Sequence, residues 1–126
     1  MEYIKFLIGI LLLITIYNSM RKRCLMTEKN IIQKLVRQAA RWTTAARQDK
    51  NSMIAVLHAN YGAGYLWALK DIATDNQIQD NAHINIKKFE NHIISTQDAV
   101  TKNMARLCPK YAPKPTYLTA IGGEGV

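Results

Sequence analysis

An all-α fold is predicted, with a single N-terminal transmembrane helix, a three-helix bundle or helical hairpin behind it, and a disordered C-terminal tail. Three observations carry this expectation. Residues 3 to 20 are almost entirely apolar and run directly into Arg21-Lys22-Arg23. Residues 28 to 108 repeat apolar side chains at helical spacing. After Pro109 the periodicity stops, prolines come early and glycines late. The chain therefore divides into an anchor with its basic stop (1–23), a helical domain (24–108) and a Pro/Gly-rich tail (109–126).

As a helix, the 18 residues from Tyr3 to Met20 rise ~27 Å, close to the roughly 30 Å hydrocarbon core of a bilayer. Ile4, Phe6, Leu7, Ile8, Ile10, Leu11, Leu12, Leu13, Ile14 and Ile16 together favour insertion by roughly 3 to 6 kcal/mol. Tyr3 and Tyr17 fall at interfacial depth, and Lys5 can extend its ammonium outward. A cleaved signal peptide is the rival reading, because the apolar core from Phe6 to Ile16 is short. Against it, Tyr17, Asn18, Ser19 and Met20 offer no pair of small residues for cleavage. The cations also stand after the core rather than before it, one (Lys5) against four (Arg21, Lys22, Arg23, Lys29). By the positive-inside rule the body of the chain faces the cytosol or a compartment topologically equivalent to it. Cys24 and Cys108 are too few for a disulfide framework, which agrees with a reducing compartment.

The net charge of +8 is concentrated in one place. Residues 21 to 50 hold nine Lys or Arg against Glu28 and Asp49, a surplus of +7, whereas residues 51 to 108 hold five of each sign. With Thr27 as N-cap, residues 28 to 48 are expected to form the first soluble helix. Lys34, Arg37, Arg41 and Gln48 share roughly a 60° arc of it, opposite Ile31, Ile32, Leu35, Val36, Ala39, Trp42 and Ala46. Arg21, Lys22, Arg23, Lys34, Arg37 and Arg41 are accordingly the candidate side chains for anionic lipid headgroups.

Ser52 is expected to cap a second helix from Met53 to about Thr74, apolar nearly all round and therefore central. Two glycines inside it cost about 1 kcal/mol each relative to Ala. Ala59, Gly62, Ala63 and Gly64 are thus expected to meet a closely approaching neighbour. Gly62-Ala-Gly64 is not a dinucleotide fingerprint, because Trp67 stands where a third glycine is needed and no strand precedes it. His58 and Asn60 argue against a second span here. A third helix of roughly 28 residues is expected from Asp75 or Asn76 to Leu107, through Ala82, Ile86, Phe89, Ile93, Thr96, Val100, Asn103 and Leu107 in steps of four and three. Asp98 and Lys102 are expected to pair across one turn, with a kink possible near Ser95-Thr96. In the tail, Tyr111, Tyr117 and Leu118 are candidate anchors for a partner.

His58, His83 and His92 lack metal-ligand spacing, no nucleophile elbow is present, and no paired carboxylates flank a cleft. His92 is expected to be solvated and His58 buried and hydrogen-bonded. No enzyme activity, cofactor, metal or small-molecule substrate is expected. The segments Ala39-Ala-Arg-Trp-Thr-Thr-Ala-Ala-Arg-Gln-Asp49 and Ile54-Ala-Val-Leu-His-Ala-Asn-Tyr-Gly-Ala-Gly-Tyr-Leu-Trp-Ala-Leu-Lys-Asp71 resemble those of short uncharacterised membrane-anchored proteins of large DNA viruses of algae. That resemblance implies a virion or host-membrane setting and carries no site residues with it. The expected function is that of a membrane-anchored scaffold or adaptor, binding anionic lipid and a protein partner or a second copy. Two alternatives remain: tethering of nucleic acid by the basic face, and a small helical subunit of a larger membrane complex with the Gly62 and Gly64 surface facing a partner chain.

Overall fold

A computed structural model describes residues 1–111, with side chains through Lys110; Tyr117, Leu118 and the Tyr111 side chain lie outside the described residues. All regular structure among the described residues is helical: α1 (Glu2–Gln48), α2 (Ser52–Ile72), α3 (Asp75–Ala82), α4 (Ile86–Leu107) and a 3-10 turn at Pro109–Tyr111.

The first correction concerns α1, which is one helix of 47 residues and about 70 Å, not an anchor followed by a separate helix. From Ile10 to Gln48 the sequence contains neither Gly nor Pro, so nothing interrupts the backbone ladder. Thr27 does not cap a new start; its hydroxyl donates back to the Arg23 carbonyl at 3.0 Å, a bond made inside a continuing helix. Among the described residues α1 is the one helix long and apolar enough to cross a bilayer, and none of its most apolar stretch is buried in the protein.

Asp49 leaves the helical region with φ −68° and ψ 130°. The chain reverses over three residues, and α2 returns antiparallel along the C-terminal half of α1. Asn51, not Ser52, is the N-cap: its Oδ1 accepts from the backbone N–H groups of Met53 (3.0 Å) and Ile54 (3.2 Å).

The expected third helix is two helices. Thr74 opens α3 with a reciprocal capping box to Gln77. The chain then breaks at His83, whose φ of 55° and ψ of 43° are left-handed, and Asn85 restarts it by accepting from the Lys88 N–H at 2.9 Å. In an unbroken helix Ile78 and Ile86 would point about 80° apart. The break re-aims α3 so that both are fully buried. A left-handed non-glycine residue costs about 1–2 kcal/mol, whereas burying an isoleucine contributes about 1.5–3 kcal/mol. Gln33 then donates to the Asn81 carbonyl at 2.9 Å, which satisfies the end of α3. From Ile86 to Asn103 the expected seam of α4 is buried or half-buried, while Leu107 is exposed. α4 continues through Ser95-Thr96, where both hydroxyls donate to the His92 carbonyl. Asp98 and Lys102 form no ion pair.

The core is uneven along the bundle. Ile32, Leu66, Leu69, Ile78, Ile86 and Ile93 are fully buried and cluster where α3 closes the bundle, at the end nearer the apolar segment. At the far end α1 and α2 meet instead through Ala39, Ala46, Ala55, Ala59, Ala63, Thr43 and Gly62. A Cβ on Gly62 would overlap the Thr43 hydroxyl and lie 3.1 Å from the Thr43 nitrogen and 3.3 Å from the Ala39 carbonyl. Gly62 thus meets a closely approaching neighbour, and Ala59 and Ala63 are buried beside it. Gly64 does not: it is exposed, and a Cβ there meets nothing within 4 Å. Ile31, expected on the packed face, is also 45% exposed, because α2 and α3 cover a narrower arc than the apolar stripe spans.

The two glycines should therefore respond oppositely to substitution. Gly62→Val should destabilise the fold by about 1–3 kcal/mol through overpacking against the α1 backbone. Gly64→Ala should stabilise it by up to about 1 kcal/mol through helix propensity. Urea unfolding followed by circular dichroism measures both; equal effects at the two positions would contradict the packing described.

Candidate interaction surfaces

The basic face of α1 forms as its helical phase requires. Arg21, Lys22, Arg23, Lys34, Arg37 and Arg41 are all exposed, and none forms an ion pair with another described residue. α2 covers the opposite side of α1, so the cations are directed away from the bundle. They do not make one flat patch. At 1.5 Å per residue, Lys34, Arg37 and Arg41 stand about 20, 24 and 30 Å further along the axis than Arg21.

An aromatic cluster adjoins the far end of this stripe. Trp42 is half-buried, its ring 4.9 Å from His58 and 5.2 Å edge-on from Tyr61, with the Arg41 guanidinium 5.5 Å from its centroid. The His58 Nδ1–H donates to the Asp49 carboxylate at 2.7 Å, which fixes the ring against the start of the α1–α2 turn. His58 is hydrogen-bonded as expected but half-buried rather than enclosed. His92 is exposed and accepts at Nε2 from the Arg47 guanidinium at 3.2 Å, a group that can only donate. No three His, Cys, Asp or Glu side chains among the described residues are grouped to hold a metal.

A second surface lies on the outer side of α2. Met53, Ile54, Leu57, Tyr61, Trp67 and Ile72 are between 40% and 63% exposed, and Gly64 and Ala68 lie among them. The spacing Ile54, Leu57, Tyr61, Gly64, Ala68 was present in the sequence. It does not stand out there, because a helix apolar nearly all round carries no marked face. A third feature is an open groove of about 580 Å³ where α3 meets α1, bordered by Lys22, Leu25, Met26, Lys29 and Gln77.

The contact between α2, α3 and α4 includes four alternating charges. Lys70 Nζ lies 2.8 Å from Glu90 and 3.6 Å from Asp75, and Lys87 Nζ lies 3.2 Å from Asp75 and 4.0 Å from Glu90. The Glu90 hydrogen bond, aided by the charges of Glu90 and Asp75 and opposed by burial, raises the Lys70 pKa. The Lys87 hydrogen bond, aided by Lys70, lowers that of Asp75.

Comparisons with protein-family models, with curated proteins and with solved structures find no match to this chain. The class is therefore defined by the architecture alone: an all-helical protein with one long apolar N-terminal helix.

The charge network sets a pH dependence. Asp75, with a lowered folded-state pKa, contributes stability that is complete above the ordinary carboxylate range and disappears as pH falls through its folded value. Lys70, with a raised one, contributes stability that is complete below the ordinary lysine range and disappears as pH rises through its folded value. The urea midpoint should be level between roughly pH 5 and 9 and fall on either side. Asp75→Asn should flatten the acid limb and Lys70→Met the alkaline limb; unchanged limbs in both variants would place the pH dependence elsewhere.

Proposed function

We infer that this protein is a single-pass membrane-anchored structural or interaction protein whose helical bundle stands off the bilayer and presents a basic face to an acidic protein partner. One observation carries the reading. The apolar stretch of α1, with ten large side chains from Ile4 to Ile16, is covered by none of the described residues, and uncovered apolar surface of that extent needs lipid or a partner. Continuity supports the same reading, since α1 passes without a break through Tyr17–Arg23, where a cleaved signal peptide would have to end.

A continuous α1 also divides the basic residues by distance from the membrane. With the span ending near Met20, Arg21, Lys22 and Arg23 sit at headgroup level, where each contributes about 1 kcal/mol on an anionic surface. Lys34, Arg37 and Arg41 stand about 20–30 Å out, and even a 40° tilt leaves Arg41 about 23 Å away. The Debye length is about 8 Å at physiological salt, so these three do not sense the lipid. Their expected place against headgroups gives way to a role toward a partner in the aqueous phase. Nucleic acid is the weaker choice for that partner. Trp42, the aromatic ring nearest the stripe, is engaged by His58 and Tyr61 and is not free to stack on a base. The surplus of Arg21–Arg23 directs the bundle toward the cytosol or a virion interior, and a virion or host membrane is the setting in which we place it. No catalytic role is proposed for any residue.

Alkaline carbonate extraction tests the anchor. The full chain should remain in the membrane pellet, and Leu11→Arg, which costs about 2.5–3.5 kcal/mol at the centre of a span, should shift it substantially to the supernatant. Release of the unaltered chain, or recovery of a mature form beginning after Met20, would sink the reading. Reversing Lys34, Arg37 and Arg41 to Glu should leave retention unchanged and abolish crosslinks to the partner; reduced retention would restore the lipid role.

A further inference from the structure

We propose that the outer face of α2 is an interface with a second copy of this chain, formed side by side in the membrane. The proposal takes the orientation of the two copies from the anchored reading above. The interface itself is argued from α2.

Ile54, Leu57, Tyr61, Gly64 and Ala68 follow one another in steps of three, four, three and four, the repeat of a helix that packs lengthwise on another helix. In a helix already packed on one side by α1 and α4, such a repeat on the exposed side serves no contact among the described residues. All five positions are exposed. Gly64 is the clearest case, because it costs helix stability and meets nothing within 4 Å. Around it, Tyr61, Gly64, Tyr65 and Ala68, at i, i+3, i+4 and i+7, border a shallow depression of about 310 Å³. Four residues in that relation form the hole that receives a side chain from a facing helix.

Charge points to a second copy as the occupant. From Ser52 to Leu69 there is no Asp, Glu, Lys or Arg, whereas the chain as a whole carries +8. Two copies meeting through α1 would set Lys34, Arg37 and Arg41 against their own images. Through α2 they meet without like charges in contact, an arrangement an acidic or basic partner would have no reason to require. The surface is also compatible with a two-fold interface: in a parallel pair each residue of the seam meets its own image, so the two Gly64 positions face one another and let the helices approach closely between the Tyr61 and Ala68 layers.

The available area is adequate. Met53, Ile54, Leu57, Tyr61 and Ile72, exposed by 40–63%, with Gly64 and Ala68 between them, offer on the order of 500 Å² per copy, about the lower end for a specific interface. Two anchors confined to one bilayer raise the effective concentration and hold both α2 helices parallel.

The test uses the full chain in mild detergent, with mass measured by sedimentation equilibrium and retention in membranes measured separately by carbonate extraction. The unaltered chain should be dimeric. Leu57→Glu and Ala68→Glu should each weaken dimerisation at least about tenfold at unchanged helicity, as expected for a charge placed in an apolar seam. Lys34→Glu on the opposite face should have no such effect. In a background of Cys24→Ser and Cys108→Ser, Ala68→Cys should form disulfide-linked dimers in native membranes and Arg37→Cys should not; this readout stands if a glutamate variant fails to fold. A monomeric unaltered chain would overturn the proposal, as would dimers indifferent to both glutamate substitutions or linked equally through residue 37. A retained but monomeric chain would leave the anchor standing without the interface. A chain released by carbonate yet dimeric through residues 57 and 68 would keep the interface and remove the anchor.

Discussion

The rest of this structure depends on the uninterrupted backbone ladder of α1. Across residues 10 to 48 every peptide can donate to the carbonyl four residues back, because no proline removes a donor and no glycine loosens the chain. The apolar segment and the first wall of the bundle are therefore one rigid body rather than two elements joined by a linker. A linker would let the basic face lie down on a membrane. A continuous helix of about 70 Å instead fixes the distance of each cation from the apolar segment.

Everything else packs on the C-terminal half of that helix. The turn at Asp49–Asn51 is short enough to force α2 back antiparallel, and Asn51 supplies the acceptor that the start of α2 needs. Helices α3 and α4 then close the side nearer the apolar segment, tied to α1 by Gln33 to Asn81 and by Gln77 to Glu28 at 2.9 Å each. α4 runs back along α2, with Glu90 beside Lys70, Gln97 bonded to Asn60 and Asn103 to Ser52. The polar contacts thus repeat the antiparallel register that the apolar residues establish.

The helical class, the extent of the apolar stretch, the one-sided basic face and the α4 seam were legible because each is a periodic or compositional property of one segment. The boundaries were less so. Thr27 is an acceptable cap residue by type, yet the residues before it are equally good helix formers, so nothing local tells a cap from a hydroxyl bonded inside a helix. The break at His83 is decided by where Ile78 must go, a matter of tertiary burial that residues 75–107 do not contain. Gly62 and Gly64 look alike in sequence. Only the position of Thr43 and Ala39 across the interface makes one a requirement and leaves the other open. The α2 stripe is hidden in the sequence by the apolar residues that surround it on the helix, and only burial of the opposite face by α1 and α4 sets it apart.

The uneven core bears on where function can reside. The six large buried aliphatics sit toward the apolar segment, while the far end is built from alanines, a glycine and Thr43, whose buried hydroxyl has no hydrogen-bond partner among the described residues. Small side chains contribute little apolar burial each, and an unpaired buried hydroxyl is costly, so this end is the less stable part of the bundle. The Trp42, His58 and Tyr61 cluster and the Asp49–His58 bond lie at the same end and supply the contact area the alanines lack. They do so on the outside, half-exposed and next to Arg41. A region stabilised by surface aromatics rather than by a buried core gains stability from being covered. For that reason the end of the bundle farthest from the apolar segment, with Arg37 and Arg41 beside it, is where a partner's contact would change the protein most.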